Sequence, residues 1–304
     1  MKESVTIKVS EDTINIIKEK YAPYQVNNNG EYISFCANYR NIIITIYDSK
    51  KALKTVTFMG EGALEEARSF DENAEVNKVK EKTESKEWIN LESQIGSDEV
   101  GVGDLFLPLI VVAAFVRKQD IKILKEYGVT DSKKLKDEDI LEIGERLATK
   151  FFVSKLTLPN DKYNEVIDKG ENLNSIKAKM HNRALLNLFK KFPDTKYIFI
   201  DQFCAEDKYF SYLNDMNEKR VTNVTFKTKG ESYYPSVALS SVLARYSFLK
   251  EKIKLEKKYK MTFPFGAGTS ADKFLQEFLN KYGKDELDKI VKKNFKNYKA
   301  VFNN

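Results

Sequence analysis

The feature that most constrains the fold of this 304-residue chain is a highly charged stretch at residues 71–87. Ten of its seventeen residues are charged and few are apolar, so it cannot bury a core of its own. The chain on either side is rich in apolar and aromatic residues. We therefore predict a small domain over residues 1–70, a charged linker at residues 71–90, and a larger domain over residues 91–304.

The small domain begins with apolar residues that alternate with polar ones at Val5, Ile7 and Val9, a pattern typical of a strand. The Ser-Glu-Asp-Thr that follows supplies residues that cap a helix. Three further strands are predicted from stretches rich in β-branched and aromatic residues, at residues 31–39, 42–47 and 53–58. This order predicts an α+β domain with a helix on one sheet face and the other face open for binding.

The larger domain contains an almost unbroken apolar run at residues 105–116, which predicts a buried strand. Further strands are predicted at residues 151–158, 197–200 and 221–226. Helices are predicted at residues 175–192, 232–259, 271–282 and 284–295. The step from the helix at 175–192 to the strand at 197–200 favours a parallel crossover, so we predict an α/β domain.

Four carboxylates of this domain stand where a charge has no role in packing: Asp98, Glu99, Asp201 and Glu231. Each ends an apolar element or adjoins a glycine. A buried carboxylate must be hydrated, paired or bound to a metal, because burying a lone charge is costly. Taken singly, each has a simpler explanation as a solvated loop residue, a turn cap or a first-turn acid. Together they indicate a catalytic site.

Asp98 and Glu99 are neighbours on one strand, whose successive side chains face opposite ways. We therefore expect the chain to bend there, helped by Gly96, Gly101 and Gly103. Oxygen ligands without a Cys/His cluster predict Mg²⁺ or Mn²⁺ rather than Zn²⁺. Two such ions suit phosphodiester hydrolysis, since they activate a water and stabilise the leaving oxygen.

The composition favours a cytoplasmic protein. No apolar run reaches the roughly 20 residues of a membrane-spanning helix, and the first residues lack the apolar core of a signal peptide. The two cysteines, Cys36 and Cys204, lie too far apart in sequence to suggest a disulfide framework. From Lys250 onward, 14 lysines face 7 acidic residues. This lysine-rich end is either a solvent-exposed helical face or a surface that binds a polyanion.

Several motifs of the larger domain resemble the ribonuclease HIII family. The first is Gly96-Ser-Asp98-Glu99-Val-Gly101-Val-Gly103-Asp104, followed by an apolar strand that contains Pro108. The others follow in the family's order: Asp131-Ser-Lys-Lys-Leu135, Glu171-Asn-Leu-Asn-Ser-Ile-Lys177 with His181-Asn182, Ile200-Asp201, and Lys229-Gly-Glu231-Ser before a Ser/Ala-rich helix. The resemblance extends over about residues 95–268.

The resemblance implies an α/β ribonuclease H-like catalytic domain with a mixed sheet and flanking helices, preceded by a small α+β, TATA-binding-protein-like domain that binds substrate. It implies an endonuclease that hydrolyses the RNA strand of RNA–DNA hybrids with Mg²⁺ or Mn²⁺ and leaves 5′-phosphate and 3′-hydroxyl ends. The four carboxylates then become the catalytic and metal-binding residues. A monomer without an obligatory protein partner or membrane is expected.

The resemblance also assigns substrate contacts. The backbone of Gly101, Val102 and Gly103 is expected to approach the RNA minor groove, where 2′-hydroxyls distinguish RNA from DNA. Lys133 and Lys134 are expected to contact phosphates, although an exposed lysine pair is equally compatible with solvation. The single histidine, His181, is interpreted as a packing or capping residue rather than a base.

The chain departs from the family's common Gly-Thr-Gly-Asp-Tyr-Phe-Gly-Pro at Val102, Leu105 and Leu107, and Val102 cannot donate a side-chain hydrogen bond. It also has Gly230 where Ala is commoner. These changes bear on substrate contact and cleavage preference.

Two alternatives remain at this stage. A non-catalytic nucleic-acid-binding protein would use the same basic end and open sheet face, and metal-dependent cleavage separates it from a nuclease. A nucleotide-binding enzyme built on residues 101–103 is disfavoured, because neither a Walker lysine motif nor a full dinucleotide fingerprint is present.

Overall fold

A computed structural model describes residues 3–27, 33–47, 53–77, 88–130 and 135–302. The chain divides into two compact units, Met1–Glu84 and Ser85–Asn304. Residues 71–77 of the predicted linker pack on the first unit, where Ala74 is buried and the Asn77 N–H donates to the Ser4 carbonyl (2.7 Å). Residues 78–87 lie outside the described part.

The first unit is an antiparallel sheet in the order β1-β4-β3-β2. Its strands are β1 (Glu3–Val9), β2 (Ile33–Tyr39), β3 (Ile42–Tyr47) and β4 (Lys54–Gly60). Two helices, α1 (Glu11–Tyr21) and α2 (Ala63–Arg68), contribute to a core on one sheet face. Ser10 caps α1 by accepting a hydrogen bond from the Thr13 N–H. The α+β prediction for this unit is confirmed.

The other face of this sheet carries side chains of mixed character. Thr6 and Thr57 lie opposite each other on β1 and β4, with their hydroxyls 3.4 Å apart. Ile43, Tyr47 and Met59 are all more than a third exposed there. Within the described residues, this face is not covered by a helix of the unit.

The second unit is built on a mixed sheet in the order β7-β6-β5-β8-β9. Its strands are β5 (Gln94–Val100), β6 (Leu109–Val116), β7 (Phe152–Leu158), β8 (Tyr197–Asp201) and β9 (Thr225–Lys227). β6 pairs antiparallel with both β5 and β7, and β5 pairs parallel with β8. β7 therefore runs parallel to β8, which confirms the predicted parallel crossover. The carboxyl ends of β5 and β8 lie side by side.

Helices pack on both faces of this sheet. The described helices of this unit are α3 (Ile121–Glu126), α4 (Asp137–Lys150), α5 (Asn160–Asp168), α6 (Leu173–Phe189), α7 (Glu206–Ser211), α8 (Pro235–Tyr259), α9 (Thr269–Tyr282), α10 (Lys284–Ile290) and α11 (Lys296–Phe302). α8 shares one core with β6, and α6 shares a second core with the opposite face. None of the described helices is long and apolar enough to cross a membrane.

Three predicted elements differ in extent. The run at residues 105–116 becomes a strand only at Leu109, because Leu105 and Phe106 are buried in a separate core with α9 and α10. The strand expected at residues 221–226 is the three-residue edge strand β9. The last predicted helix ends at Ile290 and restarts at Lys296, and the residues between them pack against α5.

Candidate active site

Asp98 and Glu99 lie near the carboxyl end of β5, which pairs regularly with β6 through both residues. The bend expected between them is therefore absent, and the chain turns only at Gly101, whose φ is +89°. Asp98 accepts hydrogen bonds from the Ser241 hydroxyl on α8 and from the Glu99 N–H (2.7 Å). Glu99 faces α6 instead. The strand alternation thus sends the two carboxylates to opposite sheet faces.

Two residues of α6 hold the Glu99 carboxylate. Lys177 Nζ donates to Oε1 (3.0 Å), and His181 Nε2 lies 2.9 Å from Oε2. Because a carboxylate only accepts, Nε2 carries the hydrogen, and Nδ1 lies within hydrogen-bond distance of the Ser97 hydroxyl (2.8 Å). His181 is fully buried and Lys177 nearly so. The packing interpretation of His181 was incomplete, since it also orients Glu99.

Asp201 ends β8 beside the end of β5, and its Oδ1 accepts the Gly230 N–H (2.8 Å). Gly230 begins a short 3₁₀ helix, Gly230–Ser232, that carries Glu231. The residue before it, Lys229, adopts a left-handed φ of +58°, which is uncommon for a residue other than glycine. Trp88 Nε1 donates to the Glu231 carbonyl (3.3 Å) and braces this turn.

The four carboxylates interact electrostatically, since the charge of one changes the pKa of another. Burial raises the pKa of Asp98 well above its usual range, and the charges of Glu99 and Asp201 raise it further. Burial also raises the pKa of Asp201; the Gly230 N–H opposes this, and Glu231 and Glu99 add to it. For Glu99, His181 and Lys177 outweigh burial and lower the pKa. The acidic groups where strands β5 and β8 end therefore disfavour one another's charged forms.

The four carboxylates are not grouped as a complete metal-binding site. Among the residues that the structure describes, no three His, Cys, Asp or Glu side chains are grouped closely enough to hold an ion. Lys177 and His181 hold the Glu99 carboxylate on the α6 side. Glu99 and Glu231 nevertheless line one cleft of about 310 Å³, together with Ser241 and Arg245.

The glycine loop, residues 101–104, adjoins the site at the end of β5. A Cβ on Gly101 would lie 2.0 Å from the Pro108 carbonyl oxygen, so this position requires glycine. A Cβ on Gly103 would meet nothing within 4 Å. The Val102 side chain is half-buried beside Leu109 and Tyr163. A partner can therefore approach the loop most closely at Gly103.

Two predicted substrate contacts, Lys133 and Lys134, lie outside the described residues. The residues that sequence reasoning missed are those that orient the carboxylates from other elements: Lys177, Ser241 and Trp88. Lys177 and His181 lie one helical turn apart, and this i, i+4 spacing was the available signal for a shared partner.

Comparisons with known proteins found relatives of both units. The family model described as Ribonuclease HII matches residues 95–298, and the one described as Domain of unknown function (DUF3378) matches residues 4–83. The chain is 39% identical over 311 residues to ribonuclease HIII of Bacillus cereus (strain ATCC 10987 / NRS 248), covering 99% of each chain. Ribonuclease HIII of Bacillus mycoides (strain KBAB4) is also 39% identical, over 99% of this chain and 98% of the relative.

Solved structures show the same likeness. Bst-RNase HIII in complex with Mn²⁺ is similar with a TM-score of 0.68 and 28% identity, covering 99% of this chain and 98% of that one. Ribonuclease H2 from Pyrococcus horikoshii OT3 shares the fold of the larger unit, with a TM-score of 0.56 and 20% identity over 69% of this chain and 96% of that one.

Proposed function

The chain belongs to the ribonuclease HIII family, and from that premise we propose that it is an endonuclease hydrolysing the RNA strand of RNA–DNA hybrids. The observation that carries the proposal is that four carboxylates interact electrostatically beside a glycine loop with open space at Gly103. In the reaction a water oxygen bonds to phosphorus and the bond to the 3′ oxygen breaks. The products carry 5′-phosphate and 3′-hydroxyl ends.

The residues present fit a hard divalent cation. All the candidate ligands are carboxylate oxygens, which Mg²⁺ and Mn²⁺ prefer, and a cation would relieve the repulsion that raises the pKa of Asp98 and Asp201. Asp98, Glu99, Asp201 and Glu231 are the residues that would hold it. When bound, two such ions activate a water molecule and stabilise the leaving oxygen.

Residues around the carboxylates keep them in place before substrate arrives. Lys177 and His181 fix the Glu99 carboxylate, and the Gly230 N–H fixes Asp201. These contacts hold Glu99 and Asp201 in defined orientations. Lys177 is thus a positioning residue for Glu99.

Substrate recognition is assigned to three surfaces. The backbone of Gly101, Val102 and Gly103 lies closest to the ribose 2′-hydroxyls, and the open space at Gly103 supports this. Lys133 and Lys134 contact phosphates. The open sheet face of the first unit binds the hybrid, which its hydroxyls at Thr6 and Thr57 support, since hydroxyls commonly donate to phosphate oxygens.

We further propose that the protein acts in the cytoplasm as a monomer. The paucity of cysteine supports a reducing compartment. Size-exclusion chromatography with light scattering is expected to give a mass near 35.1 kDa for the protein alone. A mass of twice that value would contradict the monomer.

Asp98→Asn and Asp201→Asn test the assignment of the site. Each is expected to reduce the cleavage rate by at least about 100-fold, because each removes a charge that orients the reacting groups. Hybrid binding, measured by fluorescence anisotropy, is expected to survive. The matched control is Asp161→Asn, an exposed carboxylate on α5 whose loss is expected to change nothing. A near wild-type rate in either variant would exclude that residue from the site.

A further inference from the structure

Lys292 is a lysine that the reaction does not use, and it is buried to 1% exposure between α10 and α11. Lysine is seldom so fully buried, because its ammonium group is costly to remove from water. Its Nζ donates to the carbonyl oxygens of Gly101 and Asp104, the latter at 2.8 Å. Both carbonyls belong to the glycine loop.

The glycine loop is tied to the C-terminal region at further points. The Lys292 N–H donates to the Leu105 carbonyl (2.9 Å), and the Leu105 N–H donates to the Gly266 carbonyl (3.1 Å). The Gly266 N–H in turn donates to Asp104 Oδ1 (2.6 Å). The conformation of the loop therefore depends on residues more than 160 positions away in sequence.

Lys292 is itself braced by α5. Asn160 and Asn164 are buried and donate to the carbonyls of Ile290 (2.6 Å) and Val291 (2.8 Å). Asn164 Oδ1 also accepts the N–H of Lys293 (3.0 Å). The Lys292 ammonium lies 5.5 Å from the centroid of the Tyr163 ring. The helix thus holds the backbone that aims Lys292 at the loop.

We propose that Lys292 is a positioning residue that holds the glycine loop in the shape that reads ribose 2′-hydroxyls. The C-terminal segment thereby sets the preference for RNA over DNA. The inference rests on the proposed function of the loop. It also separates Lys292 from the other lysines of this end, for which a solvated face and a polyanion footprint were the alternatives. Protonated or neutral, its amine has at least two N–H donors for the two carbonyls.

The test compares Lys292→Met with the wild type, each with EDTA so that no cleavage occurs. Anisotropy measures the dissociation constants of an RNA–DNA hybrid and a DNA–DNA duplex of the same sequence. Lys292→Met is expected to raise the dissociation constant of the hybrid about tenfold and to leave that of the DNA duplex unchanged. A tenfold change corresponds to about 1.4 kcal/mol of binding free energy. Lys293→Met, which changes the adjacent and more exposed lysine, is the control and is expected to keep the wild-type ratio.

If Lys292→Met does not fold, Lys292→Gln replaces it, because its amide keeps a donor but is too short to hold both carbonyls. The same loss of preference is expected. A folded variant that keeps the wild-type ratio of the two affinities overturns the proposal. A wrong enzymatic function would give a different result from a wrong role for Lys292. In that case the wild type itself would not cleave the hybrid with Mg²⁺ or Mn²⁺.

Discussion

Gly101 and Gly103 lie two residues apart, yet the structure makes different demands on them. Gly101 has a φ of +89° and no room for a Cβ, whereas Gly103 faces open space. Gly103→Ala is therefore expected to keep the wild-type melting temperature and to raise KM about five- to tenfold, because its methyl group occupies the space that the RNA backbone needs. Steady-state kinetics and thermal unfolding measure the two quantities.

Gly101→Ala is the matched comparison. It is expected to lower the free energy of unfolding by about 1–3 kcal/mol, the usual cost of a strained backbone residue. An unchanged KM in Gly103→Ala would place the substrate away from this loop.

Lys292 also predicts a pH dependence of stability. Burial lowers its pKa from 10.5 to about 7, while the charge of Asp104 opposes this. Between these values the unfolded chain binds more protons than the folded one, so stability rises with pH. Burial raises the pKa of the facing Tyr163, which therefore stays protonated in this window.

From pH 6.5 to pH 9, the free energy of unfolding of the wild type is expected to rise by about 2.5 kcal/mol relative to that of Lys292→Met, at 1.36 kcal/mol per pKa unit. Urea unfolding at both values measures the gain. Lys293→Met serves as the control and is expected to follow the wild type. Parallel stability curves for wild type and Lys292→Met would show that the folded lysine keeps its usual pKa.

Individual residues were predictable where an apolar pattern stops at a charge. Asp201 was found because it ends an apolar strand, and the structure places it beside Asp98 and Glu99. The orientation of Glu99 was not predictable, because its partners Lys177 and His181 come from a helix about 80 residues later. Whether all four carboxylates are catalytic stays a prediction.

At the scale of elements, the close contact between β5 and α8 brings Asp98 on β5 within hydrogen-bond distance of Ser241 on α8. A Cβ on Gly96 would lie 2.4 Å from Ser236 Oγ and 2.5 Å from the Val237 nitrogen. Gly96→Ala is therefore expected to displace the start of α8 and to destabilise the fold by about 2–3 kcal/mol, as overpacking does. Gly268→Ala, where a Cβ meets nothing within 4 Å, is expected to be close to neutral. Equal stabilities in urea would contradict this packing argument.

Elements with strong periodicity were predictable, and elements defined by distant contacts were not. The helix at α8 and the strands β6, β7 and β8 follow from their own residues. Residues 105–108 have the composition of a strand, but they turn away because Leu105 and Phe106 pack with the C-terminal helices. Gly230, unlike Gly96, has room for a larger residue. A Cβ there would lie 3.3 Å from Val237 Cγ1 and 3.6 Å from Asp201 Oδ1, so the family's commoner alanine fits with a small adjustment.

At the scale of the whole molecule, our proposal assigns substrate binding to the first unit and the chemical step to the second. Deleting the first unit, Met1–Glu84, is expected to raise KM by about tenfold or more and to change kcat little, because the carboxylates all belong to the second unit. A circular dichroism melt checks that the remaining chain is folded. An unchanged KM would remove the substrate-binding role of the first unit.

The measurement that tests the central claim most directly is cleavage of an end-labelled RNA–DNA hybrid by the full chain, with Mg²⁺, Mn²⁺ or EDTA. RNA–RNA and DNA–DNA duplexes of the same sequence serve as controls. We expect cutting of the RNA strand of the hybrid alone, with either metal and not with EDTA, leaving 5′-phosphate and 3′-hydroxyl ends. Binding of the hybrid without any cleavage would contradict the assignment and would identify a non-catalytic nucleic-acid-binding protein instead.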